Sequence, residues 1–332
     1  MEGRAVTRTH QRGAALLLAM LTVTLVAALA ASALWQQWRA LEVERAERQR
    51  AQAAWILTGA LDWARLILRE DGRGNQTNGN PDHLGEPWAL PLEEARLSSF
   101  LAADRDNTAD STLEAFLSGE ITDLQSRLNF NNVARLTTVQ NGAVPLKYEL
   151  SEPDLDSLRR LYELLGLPRG ELEAAAKELL ASAQMSLSDP LPADAASLLP
   201  TKLSQLAWLG ISPSSLARLE PHLTVLPLRT TLNLNTASAE AIAASLPGLD
   251  LAMARRLVSA RERTPFRSIA EAQRLLPQGP AVLSDQYHGV RSSFFEVRGR
   301  LRLDDTIIEE RSLVMRQALD ARIVWRERFT RR

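Results

Sequence analysis

The sequence predicts an α+β protein in which a long N-terminal helix packs on an antiparallel sheet and a large helical region interrupts that sheet. Three observations carry this reading. From Ala14 to Thr58 there is neither glycine nor proline, so nothing breaks a helix. From Ser293 onward apolar and charged residues alternate with period two, the signature of a half-buried strand. Between these ends, from Pro153 to about Leu283, the pattern is helical.

The N-terminal element comes first. Met1 to Gly13 is polar and carries Arg4, Arg8 and Arg12 against one acid, Glu2. Ala14 to Leu34 follows without a charge, roughly 32 Å of helix at about 1.5 Å per residue. A bilayer core of about 30 Å is just spanned. The basic flank places the N-terminus in the cytoplasm and the chain after Trp35 outside, with Trp35 and Trp38 at the interface. A secretory signal competes with this reading, since Ala28-Leu29-Ala30 and Ala31-Ser32-Ala33 mimic its cleavage site. A plain single-span anchor is a third reading. Gln36 to Arg50 is rich in helix formers, and Ala54, Leu57, Leu61, Ala64 and Leu68 then make an apolar stripe at helical spacing. One helix of about 55 residues results, roughly 80 Å long.

Asp71 to Pro91 reads as a loop because Gly72, Gly74, Gly79 and Pro81 fall within it. Strand pieces are expected near Glu114 to Leu117 and Ile121 to Phe130. The helical block is punctuated at Gly166-Leu167-Pro168, Asp189 to Pro192 and Ile211-Ser212-Pro213. In the last strand region Phe295, Val297, Gly299, Leu301 and Leu303 alternate with Glu296, Arg298, Arg300 and Arg302. Asp304-Asp305 turns the chain, and Ile307 to Met315 and Ala321 to Trp325 supply further strands. The expected division is a leader at 1–13, a transmembrane and stalk helix at 14–70, a discontinuous sheet domain at 71–152 and 288–332, and an inserted helical domain at 153–287.

Composition excludes several functions. The net charge of −1 makes the chain as a whole no polyanion binder, and the absence of cysteine removes disulfides, zinc thiolates and thiol catalysis. The four histidines, His10, His83, His222 and His288, lie far apart without metal-ligand spacing. No phosphate loop, dinucleotide fingerprint or nucleophile elbow is present. No enzymatic activity is expected. Asp104, Asp106, Asn107 and Asp110 offer the oxygen ligands that calcium prefers and form the candidate calcium site, although the EF-hand glycine and closing glutamate are missing. A solvated acidic loop is the competing reading. Asp71 to Asp82 is a second such stretch.

Arg12-Gly13-Ala14-Ala15-Leu16-Leu17-Leu18 resembles a type IV prepilin cleavage site, cut on the cytoplasmic side before an apolar helix that stays in the product. The leader, the long helix and the antiparallel sheet resemble pseudopilins. Three stretches resemble the minor pseudopilin K family of type II secretion: Asp82-His83-Leu84-Gly85-Glu86-Pro87-Trp88-Ala89, Asp123 through Asn132, and Leu232-Asn233-Leu234-Asn235-Thr236-Ala237. Leu209-Gly210-Ile211-Ser212 and Leu226-Pro227 extend the resemblance over nearly the whole chain. It implies a pilin-like sheet on a long helix, cleavage by prepilin peptidase between Gly13 and a methylated Ala14, and a bacterial inner-membrane anchor with a periplasmic body. It also implies a place at the pseudopilus tip, with minor pseudopilins I and J as partners. Most pseudopilins carry Glu as the fifth residue after the cut, where it meets a neighbour's amine. This chain has Leu18, which fits a terminal subunit, because an unpaired carboxylate in an apolar setting is costly. The stripe Ala54, Leu57, Leu61, Ala64 and Leu68 is the expected partner-contacting face.

Two alternatives stay open: a type IV pilus minor pilin, and a membrane-tethered DNA receptor. The second rests on Leu246-Pro247-Gly248-Leu249, Ala252 to Arg263 and Pro265-Phe266, which resemble a helix-hairpin-helix, with Arg255, Arg256, Arg261 and Arg263 adding positive charge. Such hairpins bind phosphate through backbone N–H groups at a helix start. Against it, Asp250 stands where a second glycine is usual, and Glu240, Glu262 and Glu271 dilute the basic face. The structural reading is a packing module with Asn235 or Thr236 as helix cap.

Overall fold

The computed structural model describes residues 11–97, 115–137, 147–187, 199–277, 279, 281–303 and 306–331, with backbone only at 11–13, 75–78 and 331. The chain divides into two compact units, Met1–Thr58 and Gly59–Arg332. Helix α1 runs from Gln11 to Asn78, 68 residues, longer than expected at both ends. It passes through Gly72 and Gly74, where a loop was expected. Gly72 is buried, and a Cβ on it would stand 2.8 Å from the Ala318 carbonyl oxygen. This glycine serves close approach between helix and hairpin, not helix breaking.

In the first unit the side chains from Leu16 to Leu34 face outward, Leu18 with 67% of its surface exposed. This helix is long and apolar enough to cross a membrane. Beyond the apolar run, Arg45–Glu42, Arg48–Glu44 and Arg50–Glu47 form ion pairs at helical spacing, each worth about 0.2–0.5 kcal/mol to a solvated helix.

The second unit is built on a five-stranded antiparallel sheet. Its strands are β1 (Leu92–Arg96) and β2 (Ala115–Asp123), with β9 (Phe294–Leu303), β10 (Thr306–Gln317) and β11 (Asp320–Arg331) from the C-terminal end of the chain. The order is β1-β2-β9-β10-β11. Leu61, Ala64 and Leu68 pack against it with Trp88, Phe295, Val297, Val314 and Ala321. Trp88 meets Phe295 edge-on, with centroids 5.2 Å apart, a favoured aromatic geometry. Burying each leucine here contributes about 1.5–3 kcal/mol.

The two strand pieces expected around Glu114 to Phe130 are one strand, β2, followed by 3-10 turns at Leu124–Ser126 and Phe130–Val133. Gly119 does not interrupt β2. It pairs with Gly299 of β9, and a Cβ on it would stand 3.0 Å from the Arg298 carbonyl oxygen. Strand β1 was not expected, because Leu92-Glu93-Glu94-Ala95-Arg96 has no clean alternation. The Asp304-Asp305 turn lies outside the described residues.

Strands β2 and β9 are hydrogen-bonded neighbours, although residues 124–293 separate them. That segment carries helices α2 (Glu152–Leu164), α3 (Arg169–Met185), α4 (Pro213–Leu219), α5 (Ala239–Ser245), α6 (Leu251–Arg263) and α7 (Ile269–Gln273). Short strands β3 (Leu128–Asn129) and β6 (Leu223–Thr224) pair parallel, as do β7 (Leu232–Asn233) and β8 (His288–Gly289), while β4 (Ala134–Thr137) and β5 (Lys147–Leu150) pair antiparallel. One core gathers Leu155, Leu158, Leu161, Leu172 and Leu179 around Phe130. A second gathers Ile242, Leu246, Leu257 and Phe266. A third cluster, Leu124, Leu226, Phe294 and Leu313, ties this segment to the outer face of the sheet.

Candidate functional site: a buried polar junction and the surfaces around it

The junction between sheet and helical segment is polar and tightly satisfied. Asp123, at the end of β2, is 2% exposed. Its carboxylate accepts from Gln125 N (2.7 Å), Asn233 Nδ2 (3.1 Å), Thr236 Oγ1 (2.5 Å) and Ser292 Oγ (2.6 Å). Burial pushes its pKa up to about 6, and the bonds from Ser292, Thr236 and Gln125 oppose that rise. Asp82 beside it accepts from Ser292 N at 2.6 Å, and Asn233 Nδ2 also reaches the Asp82 carbonyl at 3.2 Å.

Two of the stretches that carried the family resemblance, Asp123 through Asn132 and Leu232 through Ala237, hold buried amide clamps. Asn129 Oδ1 accepts from Asn131 N and Leu226 N, and its Nδ2 donates to the Leu228 carbonyl at 2.9 Å. Asn132 donates to Thr230 O at 2.8 Å and accepts from Thr230 N at 3.1 Å. Asn235 brackets Phe266 the same way, donating to its carbonyl and accepting from its N–H, each at 2.9 Å. An amide side chain presents both a donor and an acceptor, so one residue satisfies both backbone groups of a facing segment. Neither Asn235 nor Thr236 caps a helix, contrary to expectation. Ser238 caps α5, accepting from Ala241 N at 3.2 Å.

Asp71, Asp82 and Glu86 each bring a carboxylate oxygen within 4.8 Å of the others. The Arg316 guanidinium reaches into this group. It pairs with Asp71, donates to Asp82 Oδ1 at 2.6 Å and to the Ser292 carbonyl at 2.8 Å, and stacks over Phe295. Burial raises the pKa of both aspartates, with Glu86 adding to the rise at Asp71 and Arg316 opposing it at both. Glu86 accepts from His83 N and Trp88 Nε1. Asp71 and Asp82 are therefore the acidic half of an ion cluster centred on Arg316.

Of the residues expected to form sites, Gly13 and Ala14 lie in the first turns of α1. The candidate calcium ligands Asp104, Asp106, Asn107 and Asp110 lie outside the described residues. The expected partner stripe is corrected: Leu61, Ala64 and Leu68 are in the chain's own helix–sheet core, Leu57 is likewise buried, and Ala54 is half-buried. Helical spacing located an apolar face but did not say which surface covers it. The charged face of β9 is likewise not simply solvated. Glu296 is 6% exposed, paired with Arg298 and Arg311, and Glu310 is 3% exposed, paired with Arg328. Two of the histidines are structural: His288 faces Ser245 and His222 faces Ser238. Burial drives the His288 pKa down to about 4 and lowers that of His222. The Asp123 hub was not singled out beforehand. Its signal was an aspartate ending a strand with no nearby basic residue before Arg127.

The helix-hairpin-helix resemblance is real in outline, with α5 and α6 joined through Gly248 at φ 74°. However, the Asp250 carboxylate accepts from Met253 N at 2.7 Å and occupies the N-terminus of α6, where a phosphate would sit.

Comparison with known proteins agrees with this architecture. The family model for type II secretion system protein K matches residues 232–291, the stretch that includes the Asn233–Asn235 clamps and the α5–α6 hairpin. Type II secretion system protein K of Pseudomonas aeruginosa is 28% identical over 311 residues, covering 90% of this chain and 86% of that protein. Its counterpart in Pectobacterium carotovorum is 24% identical over 345 residues, covering 96% and 97%. Among solved structures, a chain of the GspK-GspI-GspJ complex of the enterotoxigenic Escherichia coli type 2 secretion system superposes with a TM-score of 0.56. It is 17% identical, with 86% of this chain and 98% of that chain covered. Over most of its length the chain is similar to type II secretion system protein K.

Proposed function

We propose that this protein sits at the tip of a type II secretion pseudopilus and initiates or caps its assembly with minor pseudopilins I and J. The relatives carry the name of that secretion component, and the solved chain of similar fold was captured in a complex with two others. The observation that carries the tip position is the combination of Leu18 with the bulk of residues 124–293 beside a five-stranded sheet. A repeating interior position in a thin filament would accommodate neither easily. We further propose that prepilin peptidase cuts between Gly13 and Ala14, that Ala14 becomes the methylated N-terminus, and that the anchor lies in the inner membrane with the body in the periplasm. Its role is assembly, without catalysis. With the Leu61–Leu68 face in the chain's own core, partners would meet other faces of α1. Immunogold labelling of pseudopili tests the tip position: label confined to one end supports it, and label spread along the filament overturns it. N-terminal sequencing of the protein purified from membranes tests the cleavage, since a start near Ser32 or Leu34 would mean a secretory signal instead.

A further inference from the structure

The α5–α6 hairpin resembles a nucleic-acid module, yet its phosphate seat is filled by Asp250. Its arginines remain to be explained. Between Leu251 and Arg274 the sequence has six arginines and two glutamates, on a chain whose net charge is −1. One of the six, Arg261, is buried and donates to the Leu234 carbonyl at 2.6 Å. The other five, Arg255, Arg256, Arg263, Arg267 and Arg274, are exposed; among the described residues none of their guanidinium groups meets a carboxylate, although Arg263 Nε donates to the Ser259 carbonyl at 3.3 Å and the Arg267 backbone N–H to Glu271 at 2.7 Å. Arg300 of β9 shares that condition, but most sheet arginines do not: Arg298, Arg302, Arg311, Arg316 and Arg328 each meet an acid.

Helix geometry places three of these charges on the exposed side of α6. Ala254, Leu257 and Arg261 form the buried face of α6. Arg255, Ser259 and Arg263 follow one another at i, i+4 spacing on the exposed side, with Arg256 beside Arg255. The exposed side of α6 therefore carries three guanidinium groups without a carboxylate partner against one acid on that helix, Glu262, and arginine is enriched in protein-binding surfaces.

We propose that the α6 arginine face is a docking site for a carboxylate-rich surface of a partner protein. Charge complementarity names the occupant. A positive patch on an otherwise neutral chain attracts and orients an acidic partner, and the planar guanidinium pairs bidentately with carboxylates. Nucleic acid fits less well. The helix terminus that would take a phosphate is capped by Asp250, and Arg255, Arg256 and Arg263 have no exposed aromatic side chain beside them on α6 on which a base could stack.

The test uses the full chain in detergent, with immobilised polyglutamate, random-sequence duplex DNA and phosphatidylglycerol vesicles as probes at matched low salt. The wild-type chain should bind polyglutamate in preference to the other two. The triple variant Arg255→Glu, Arg256→Glu, Arg263→Glu should lose that binding at least tenfold while keeping its circular dichroism and its co-purification with minor pseudopilins. If the triple reversal misfolds, Arg255→Gln, Arg256→Gln, Arg263→Gln replaces it with the same tenfold threshold. No wild-type binding to polyglutamate, equal binding by the variant, or tighter binding to DNA or vesicles overturns the proposal. Since co-purification is read separately, none of these results bears on the tip reading.

Discussion

Replacing Arg316 with methionine probes the junction directly. The arginine side chain is 5% exposed and the two aspartates it pairs are 12% and 0% exposed, so its removal leaves two carboxylates in the interior without their cation. Breaking a buried pair by deleting one partner costs about 3–5 kcal/mol. In a unit of this size about 2–4 °C accompany each kcal/mol, so the melting temperature of the full chain in detergent should fall by about 6–20 °C at pH 7. The sign of the pH dependence separates electrostatics from packing. Burial already raises the pKa of Asp71 and Asp82, and losing Arg316 raises both further. A raised carboxylate stabilises the fold at low pH and loses that contribution as pH rises through its folded value. The gap between variant and wild type should therefore narrow as pH falls toward the ordinary aspartate range. Methionine keeps most of the contact with Phe295. A deficit of the same size at pH 4.5 and pH 7.5 would mean that packing dominates and that the ion-cluster account is wrong.

The remaining predictions address other layers of the structure. Asp123, with its pKa raised from 3.8 to about 6, should make the wild type lose about 2 kcal/mol relative to Asp123→Asn as pH rises from 4 to 6; parallel denaturation curves across that window would refute the raised value. Gly72→Ala should cost about 1–3 kcal/mol, because its Cβ would stand 2.8 Å from the Ala318 carbonyl. Gly59→Ala meets nothing within 4 Å and should stabilise by about 1 kcal/mol through helix propensity; urea titrations that reverse this order would contradict the placement of α1. Leu68→Ala should cost about 2–5 kcal/mol, whereas Trp63→Ala, 52% exposed on the opposite side of α1, should change the isolated chain's stability by at most about 0.5 kcal/mol.

How much of this was legible in the sequence depended on where the deciding interaction lay. The anchor, the long helix and strands β9 to β11 follow from local pattern, since their apolar faces repeat within a few residues. The end of α1 was misread because Gly72 looks like a local breaker. Its reason is a backbone more than two hundred residues away, at Ala318. The partner stripe was misread for the same cause, as periodicity gives a face and not its occupant. The Asn129, Asn132, Asn233 and Asn235 motifs were recognised as signatures, yet their work as amide clamps joins segments about thirty to a hundred residues apart. The ionic junction was invisible in the sequence, because Asp71, Asp82, Asp123 and Arg316 converge only after the sheet has formed.

That convergence also explains how adjacent strands tolerate the segment between them. Residues 124–293, roughly 170 in all, connect β2 to β9. Compared with a hairpin of about four residues, closing so long a loop costs about 3 kcal/mol more if the segment is flexible. The cost is met at the two ends of the segment. Asp123 at its start and Ser292 at its end are hydrogen-bonded at 2.6 Å, with Asn233 from its middle bonded to both. The strands on either side are held in register from Asp123↔Phe295 to Ala115↔Leu303. A flexible excursion would leave β2 and β9 to find each other by chance. A folded segment whose entry and exit share one buried carboxylate presents them already paired, so the sheet and the helical segment should unfold together. Two separated transitions in calorimetry of the full chain would argue against this coupling, and Asp123→Ala is the substitution that should split a single transition in two.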